Sequence, residues 1–121
     1  MSDAIDPVTF ANLVEMTGGE MDFVDELVDT FLEDGRNQVD ALQAALAGGE
    51  AEALVRPAHS LKTGSLSVGA LRLGELCRAL EEDARRPGAV ADAADRVAEI
   101  RTALAAAAEA LLRARSDRQA G

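Results

Sequence analysis

The stretch RPAHSLKTGSLSVGALRLGELCRALE, Arg56–Glu81, holds the chain's one histidine, His59, and its one lysine, Lys62. Its apolar positions step by four and three. Ala58, Leu61, Ser65 and Val68 continue a seam begun at Leu54, and beyond Gly69 the residues Leu73, Leu76, Cys77, Leu80 and Ala84 form a second one. That spacing lines one face of a helix, and a glycine between two such runs reads as the turn joining an antiparallel pair.

Glycine and proline divide the rest of the chain in the same way. Asp6-Pro7 reads as an N-cap followed by Pro at the first helical position, opening a short helix that ends near Met16. A second helix is predicted from about Met21 to Ala47, between TGGE near residue 18 and AGGE near residue 48. Gly35 in its middle costs about 1 kcal/mol relative to Ala. Phase argues for continuity all the same. At about 100° per residue, Phe23, Val24, Leu27, Val28, Phe31 and Leu32 share an arc with Val39, Leu42 and Leu46, opposite Glu26, Asp29, Glu33, Asn37 and Asp40. A third helix is expected from about Ala51 to Val68 and a fourth from about Ala70 to Arg86. After RRPGA a fifth, about Val90 to Ala114, turns Val90, Ala94, Val97, Ile100, Leu104 and Leu111 inward. The expected fold is all-α, an antiparallel up-down four-helix bundle with a short extra N-terminal helix laid against it. It forms one domain over residues 1–121, with a core spanning about 8–114 and a frayed tail at 115–121.

Composition narrows the function. Hydrophobic residues make up 48% of the chain but aromatics only 2%, so the core rests on Leu, Val, Ile and Ala, with Phe10, Phe23 and Phe31 as its large pieces. The net charge is −10, and residues 1–55 hold thirteen acids against a single base, Arg36, which argues against a nucleic-acid partner. The one cysteine, Cys77, has no disulfide partner in the chain and falls on an apolar stripe, as expected of a buried thiol in a reducing compartment. MSDAIDPVTF lacks the basic and apolar regions of a signal peptide, and the longest apolar run, Thr102–Leu112, is interrupted by Glu109. A membrane span needs about 20 apolar residues. A cytoplasmic protein with no membrane association is expected, and nothing in the chain demands more than a monomer.

His59 lies about 160° around the third helix from Leu61, the middle of its buried seam, so it faces away from the core. Its neighbours at three and four residues are Val55, Arg56, Lys62 and Thr63, and Leu66 shares the face. One imidazole, two cations, a hydroxyl and two aliphatic side chains that the seam does not need make a small docking surface around a nucleophile. The cations would stabilise an anion arriving at the ring, and a phosphoryl group is such an anion. Other chemistries fit less well: one His and one Cys on different helices make a poor zinc site, and neither a nucleophile elbow nor a G-x-x-x-x-G-K-[ST] loop is present. ATP-dependent kinase activity is therefore not expected of this chain.

The quoted stretch resembles the signature of histidine-containing phosphotransfer (HPt) domains, approximately A-H-x-L-K-G-S-x-x-x-x-G-A followed by L-x-x-L-C-x-x-L-E. Ala58, His59, Leu61, Lys62, Gly69 and Ala70 match in register, as do Leu73, Leu76, Cys77, Leu80 and Glu81. The likeness extends over about residues 8–112. Two positions depart from it. Thr63 stands where the family prefers a small residue, and its β-branched side chain could crowd a phosphoryl group, hydrogen-bond to it, or bond back to the carbonyl of His59. Pro57 inside the third helix removes a backbone hydrogen bond and should bend the helix.

The resemblance implies a phosphorelay carrier. An aspartyl phosphate on a receiver domain, or a hybrid sensor kinase, would phosphorylate His59, which would pass the group to the aspartate of a response regulator. It implies no cofactor of the chain's own, Mg²⁺ being expected on the partner receiver. Lys62 would lend electrostatic support, with Arg56 and Thr63 as further supports. Val55 and Leu66 are the first candidates for docking the partner, and Leu13 and Val14 of the short helix the weaker ones. The alternative is a helical adaptor that docks receivers without moving phosphate. A segment of a larger chemotaxis-type kinase is a third reading, disfavoured by the start at Met1 and the end soon after the last helix.

Overall fold

The computed structural model describes residues 4–88 and 90–120 of the chain. Five α-helices follow one another: α1 (Pro7–Met16), α2 (Met21–Gly48), α3 (Val55–Val68), α4 (Leu71–Ala84) and α5 (Ala93–Ala120), with a 3₁₀ turn at Ala51–Leu54 leading into α3. Helix α2 touches α3, α3 touches α4, α4 touches α5 and α5 touches α2, so the four long helices stand at the corners of a bundle, and α1 lies across α2 and α3. No helix among the described residues is long and apolar enough to cross a membrane.

The seams read from the sequence are the ones buried. Leu54, Ala58, Leu61, Ser65 and Val68 face Leu73, Cys77, Leu80 and Ala84 in one core with Val24, Val28, Phe31, Val39, Leu42, Val97, Ile100, Leu104 and Leu111. Ser65, a polar member of that seam, is satisfied by its own helix, its hydroxyl donating to the carbonyl of Leu61 at 2.6 Å. Burial pushes the Cys77 thiol up to about 12, so it packs as an inert apolar group.

Helix α2 runs unbroken through Gly35, 28 residues or about 42 Å. A Cβ built on Gly35 would lie 2.9 Å from Leu104 Cδ1, so the glycine lets α2 and α5 approach closely where they cross.

Three expectations are corrected. Phe23 is 53% exposed instead of forming part of the core. The buried line of α2 is Val24, Val28, Phe31, Gly35, Val39 and Leu42, and Phe23 stands about 100° from it, at the edge of an arc read too broadly from apolar residues alone. Helix α5 begins at Ala93, leaving Val90 half-buried ahead of it and Ala94 exposed in its first turn. Its far end, expected to fray after Ala114, continues as helix to Ala120, with Arg115 bridging to Asp25 at 3.2 Å and Asp29 at 2.6 Å on α2. Gly121 lies outside the described residues.

The α3–α4 turn positions everything that follows. Gly69 takes φ +88°, and the amide of Ala70 donates back to the carbonyl of Ser65 at 2.8 Å, closing the end of α3. The amide of Asp6 donates to the carbonyl of Gly69 at 2.7 Å, while the Asp6 carboxylate caps α1 through Thr9. Gly69→Ala would force a side chain into the left-handed region with its Cβ 3.0 Å from the Asp6 carbonyl oxygen. The expected loss is about 1–2 kcal/mol or more, read as a lowered denaturant midpoint at unchanged slope.

Candidate functional site

Helix α3 holds His59 on its outward face, where the side chain is 54% exposed, and α4 carries Glu81 into contact with it from below. The Glu81 side chain is only 8% exposed. One of its oxygens, Oε2, lies 2.8 Å from His59 Nδ1 and 2.6 Å from Arg85 Nη2; the other, Oε1, lies 2.9 Å from Lys62 Nζ. A single buried carboxylate thus joins the histidine, the lysine and an arginine one turn along its own helix.

The charges explain why that carboxylate tolerates burial. The Arg85 guanidinium above all, then the Lys62 ammonium and the His59 ring, hold Glu81 at about 2, against 4.5 for an ordinary glutamate, while burial acts in the opposite direction. Protonating Glu81 therefore costs the folded state more than the unfolded chain, so this contribution to stability is complete above pH 4.5 and disappears as the pH falls toward 2. Unfolding free energy measured across that interval should fall more steeply in the wild type than in Glu81→Gln.

An ionised carboxylate can only accept, so Nδ1 of His59 carries the proton in the contact with Glu81. In the neutral ring Nε2 then bears the free lone pair. Thr63 donates to the carbonyl of His59 at 3.1 Å, so of its possible roles the structure shows the bond back into the helix.

Lys62, expected on the outward face, is folded down onto Glu81 and only 23% exposed. Arg56 is exposed and forms no ion pair among the described residues. Pro57 sits in the first turn of α3, directly after the 3₁₀ turn, where the amide it lacks has no partner within the helix; the expected lost hydrogen bond in a helix interior does not arise.

Of the docking candidates, Leu66 is 44% exposed and rests on Gly74, whose Cβ, if present, would fall 2.6 Å from Leu66 Cδ2. Val55 is half-buried against the core. Leu13 is half-buried and lines a groove with Leu27, Phe31, Ser60, Gly64 and Ser67. Val14 is 7% exposed and belongs to the core, which corrects its place among the docking candidates. Its side chain anchors α1 to the bundle instead.

Known proteins share this fold. The Hpt domain family model matches residues 26–110. The chain belongs to the Hpt domain family. The crystal structure of histidine-containing phosphotransfer protein B (HptB) from Pseudomonas aeruginosa PAO1 is similar to this Hpt domain over 97% of this chain and 98% of that one, with 32% sequence identity and a TM-score of 0.86. No match is found among curated proteins. Membership makes this chain a histidine phosphotransfer protein of a phosphorelay, working with two-component partners.

Sequence reasoning placed Glu81 in the family pattern without assigning it a role. The signal was available: an acid at the end of the apolar run Leu73, Leu76, Cys77, Leu80 falls on the inward side of α4, where only a paired carboxylate is tolerated. What sequence could not supply is the partner, because His59 and Glu81 stand 22 residues apart on different helices. Arg85 was missed although its spacing was legible, because it stands four residues after Glu81 on the same helix and Glu81 had been given no role.

Proposed function

We propose that His59 of this Hpt domain accepts a phosphoryl group from the aspartyl phosphate of a receiver domain and delivers it to the aspartate of another. The observation that carries this reading is the exposed imidazole whose Nδ1 is hydrogen-bonded to the buried Glu81. The Nε2 lone pair attacks phosphorus in line, the bond from phosphorus to the aspartyl oxygen breaks, and the aspartate leaves as a carboxylate. The Nδ1 proton stays in place. Positive charge then develops on the ring, beside a carboxylate already positioned to stabilise it. Delivery to the second receiver reverses these steps. Phosphoryl transfer has a loose transition state, so positioning and charge neutralisation supply most of the catalysis, and Mg²⁺ belongs to the partner receiver.

The cations divide the work in this reading. Lys62 steadies Glu81 through Oε1, while Arg56, exposed three residues before His59, meets the phosphoryl oxygens. Docking falls to Leu66 and its surroundings. Leu66→Asp should slow transfer about tenfold with little change in melting, since an exposed aliphatic anchor at an interface contributes about 1–2 kcal/mol. Val55→Asp should lower the melting temperature as well, because its side chain packs on the core.

The test is transfer from a panel of radiolabelled phospho-receivers. Rapid, acid-labile, base-stable label on the protein supports the carrier role and names the donor. Binding without label from every receiver would favour the docking-only adaptor.

A further inference from the structure

Glu81 offers His59 less than a full negative charge, because Arg85 occupies the same oxygen. Arg85 Nη2 and His59 Nδ1 lie 2.6 Å and 2.8 Å from Oε2, while Lys62 occupies Oε1. Arg85 caps the C-terminal end of α4, four residues after Glu81, with its amide donating to the Glu81 carbonyl at 3.1 Å. The order Glu then Arg at that spacing is the favourable one on a helix, with Glu81 buried and the Arg85 side chain 59% exposed.

We infer that Arg85 acts on phosphoryl transfer through Glu81, dividing the charge of Oε2, so that the phosphorylated ring is held less tightly and gives up its phosphoryl group more readily. The inference rests on the carrier reading of His59. Two hydrogen bonds converging on one oxygen compete, and withdrawing the guanidinium leaves the whole of that oxygen's charge to the imidazole. The ring gains positive charge as the Nε2–phosphorus bond forms, so the stronger carboxylate favours uptake and holds the product. Arg85 acts against that hold. The other charged groups facing the cluster are Lys62 and Arg56 on α3, and Glu50 before and Glu52 within the 3₁₀ turn, which line one groove with Arg56, Arg85 and Arg86. None of these but Lys62 contacts Glu81.

The experiment compares wild type, Arg85→Gln, Arg85→Lys and Arg78→Gln, the last a control on the same helix whose partners are the exposed Glu75 and Glu82. The first readout is the His59 Nδ1–H proton resonance in the unphosphorylated protein. Arg85→Gln should move it downfield, as a stronger hydrogen bond requires, Arg85→Lys should restore most of the wild-type position, and Arg78→Gln should leave it in place. The second is the rate of phosphorylation by phosphoramidate, in which the Nε2–phosphorus bond forms and the donor's phosphorus–nitrogen bond breaks with loss of ammonia. At high salt, which screens the direct attraction of exposed Arg85 for the donor, Arg85→Gln should react about threefold faster, the scale of a partly exposed ion pair. A resonance that stays put or moves upfield in a folded Arg85→Gln protein overturns the inference, as does a slower reaction at high salt. If the wild type takes up no phosphoryl group on His59, it is the carrier reading that fails, and the proton resonance still decides whether Arg85 divides the charge of Glu81.

Discussion

His59→Gln is expected to take up no acid-labile phosphate from any receiver, and to melt within a degree or two of the wild type. Nothing else among the described residues offers an imidazole, so the loss is complete and not graded. Stability is preserved because the side chain is 54% exposed and lies outside the apolar core. Glutamine can still donate to Glu81, whose remaining partners, Lys62 and Arg85, keep the carboxylate ionised. Phosphotransfer assays run beside thermal melts check both halves. A large fall in melting temperature would show that His59 holds the bundle together, and residual acid-labile label would place the acceptor elsewhere.

Glu81→Gln should instead lower rate and stability together. An amide can present either an acceptor or a donor to Nδ1, so the ring is no longer confined to the tautomer with its lone pair on Nε2, and the developing positive charge loses its counter-ion. The expected loss of rate is about 10²-fold, the ordinary contribution of a group that holds and balances a catalytic histidine. The same change leaves Lys62 without its anion at a site only 23% exposed and removes the charge from the contact with Arg85. That should cost about 1–3 kcal/mol of unfolding free energy at neutral pH. The stability deficit should shrink as the pH falls from 4.5 toward 2, where the wild-type carboxylate itself becomes neutral. A deficit that persists unchanged at low pH would assign the effect to packing and not to charge.

These two predictions differ in a way that reflects how the site is divided. His59 was legible from local periodicity: one helix seam running Leu54, Ala58, Leu61, Ser65 and Val68 leaves position 59 facing out, whatever the rest of the chain does. The same arithmetic located the α3–α4 turn at Gly69 and carried α2 through Gly35. It failed at Phe23, where an apolar residue at the margin of an arc goes to solvent because no helix covers that side. It failed at the end of α5 too, where Arg115 finds acids on α2 that nothing in its own neighbourhood of the sequence announces.

Taken alone, the sequence determined the helices, their buried faces, the turns that cap them and the exposure of the one histidine, since each of these follows from residues within a few positions of one another. Tertiary structure alone decided what the histidine touches. Lys62 turned inward and Arg56 stayed free because Glu81 arrives from α4, and a buried carboxylate, costly to desolvate, draws the nearest cations to itself. Arg85 reaches Glu81 along α4 itself, but the meeting of Lys62 and His59 with that carboxylate depends on how α3 and α4 cross, and a helical period read along one stretch of sequence carries no information about the crossing.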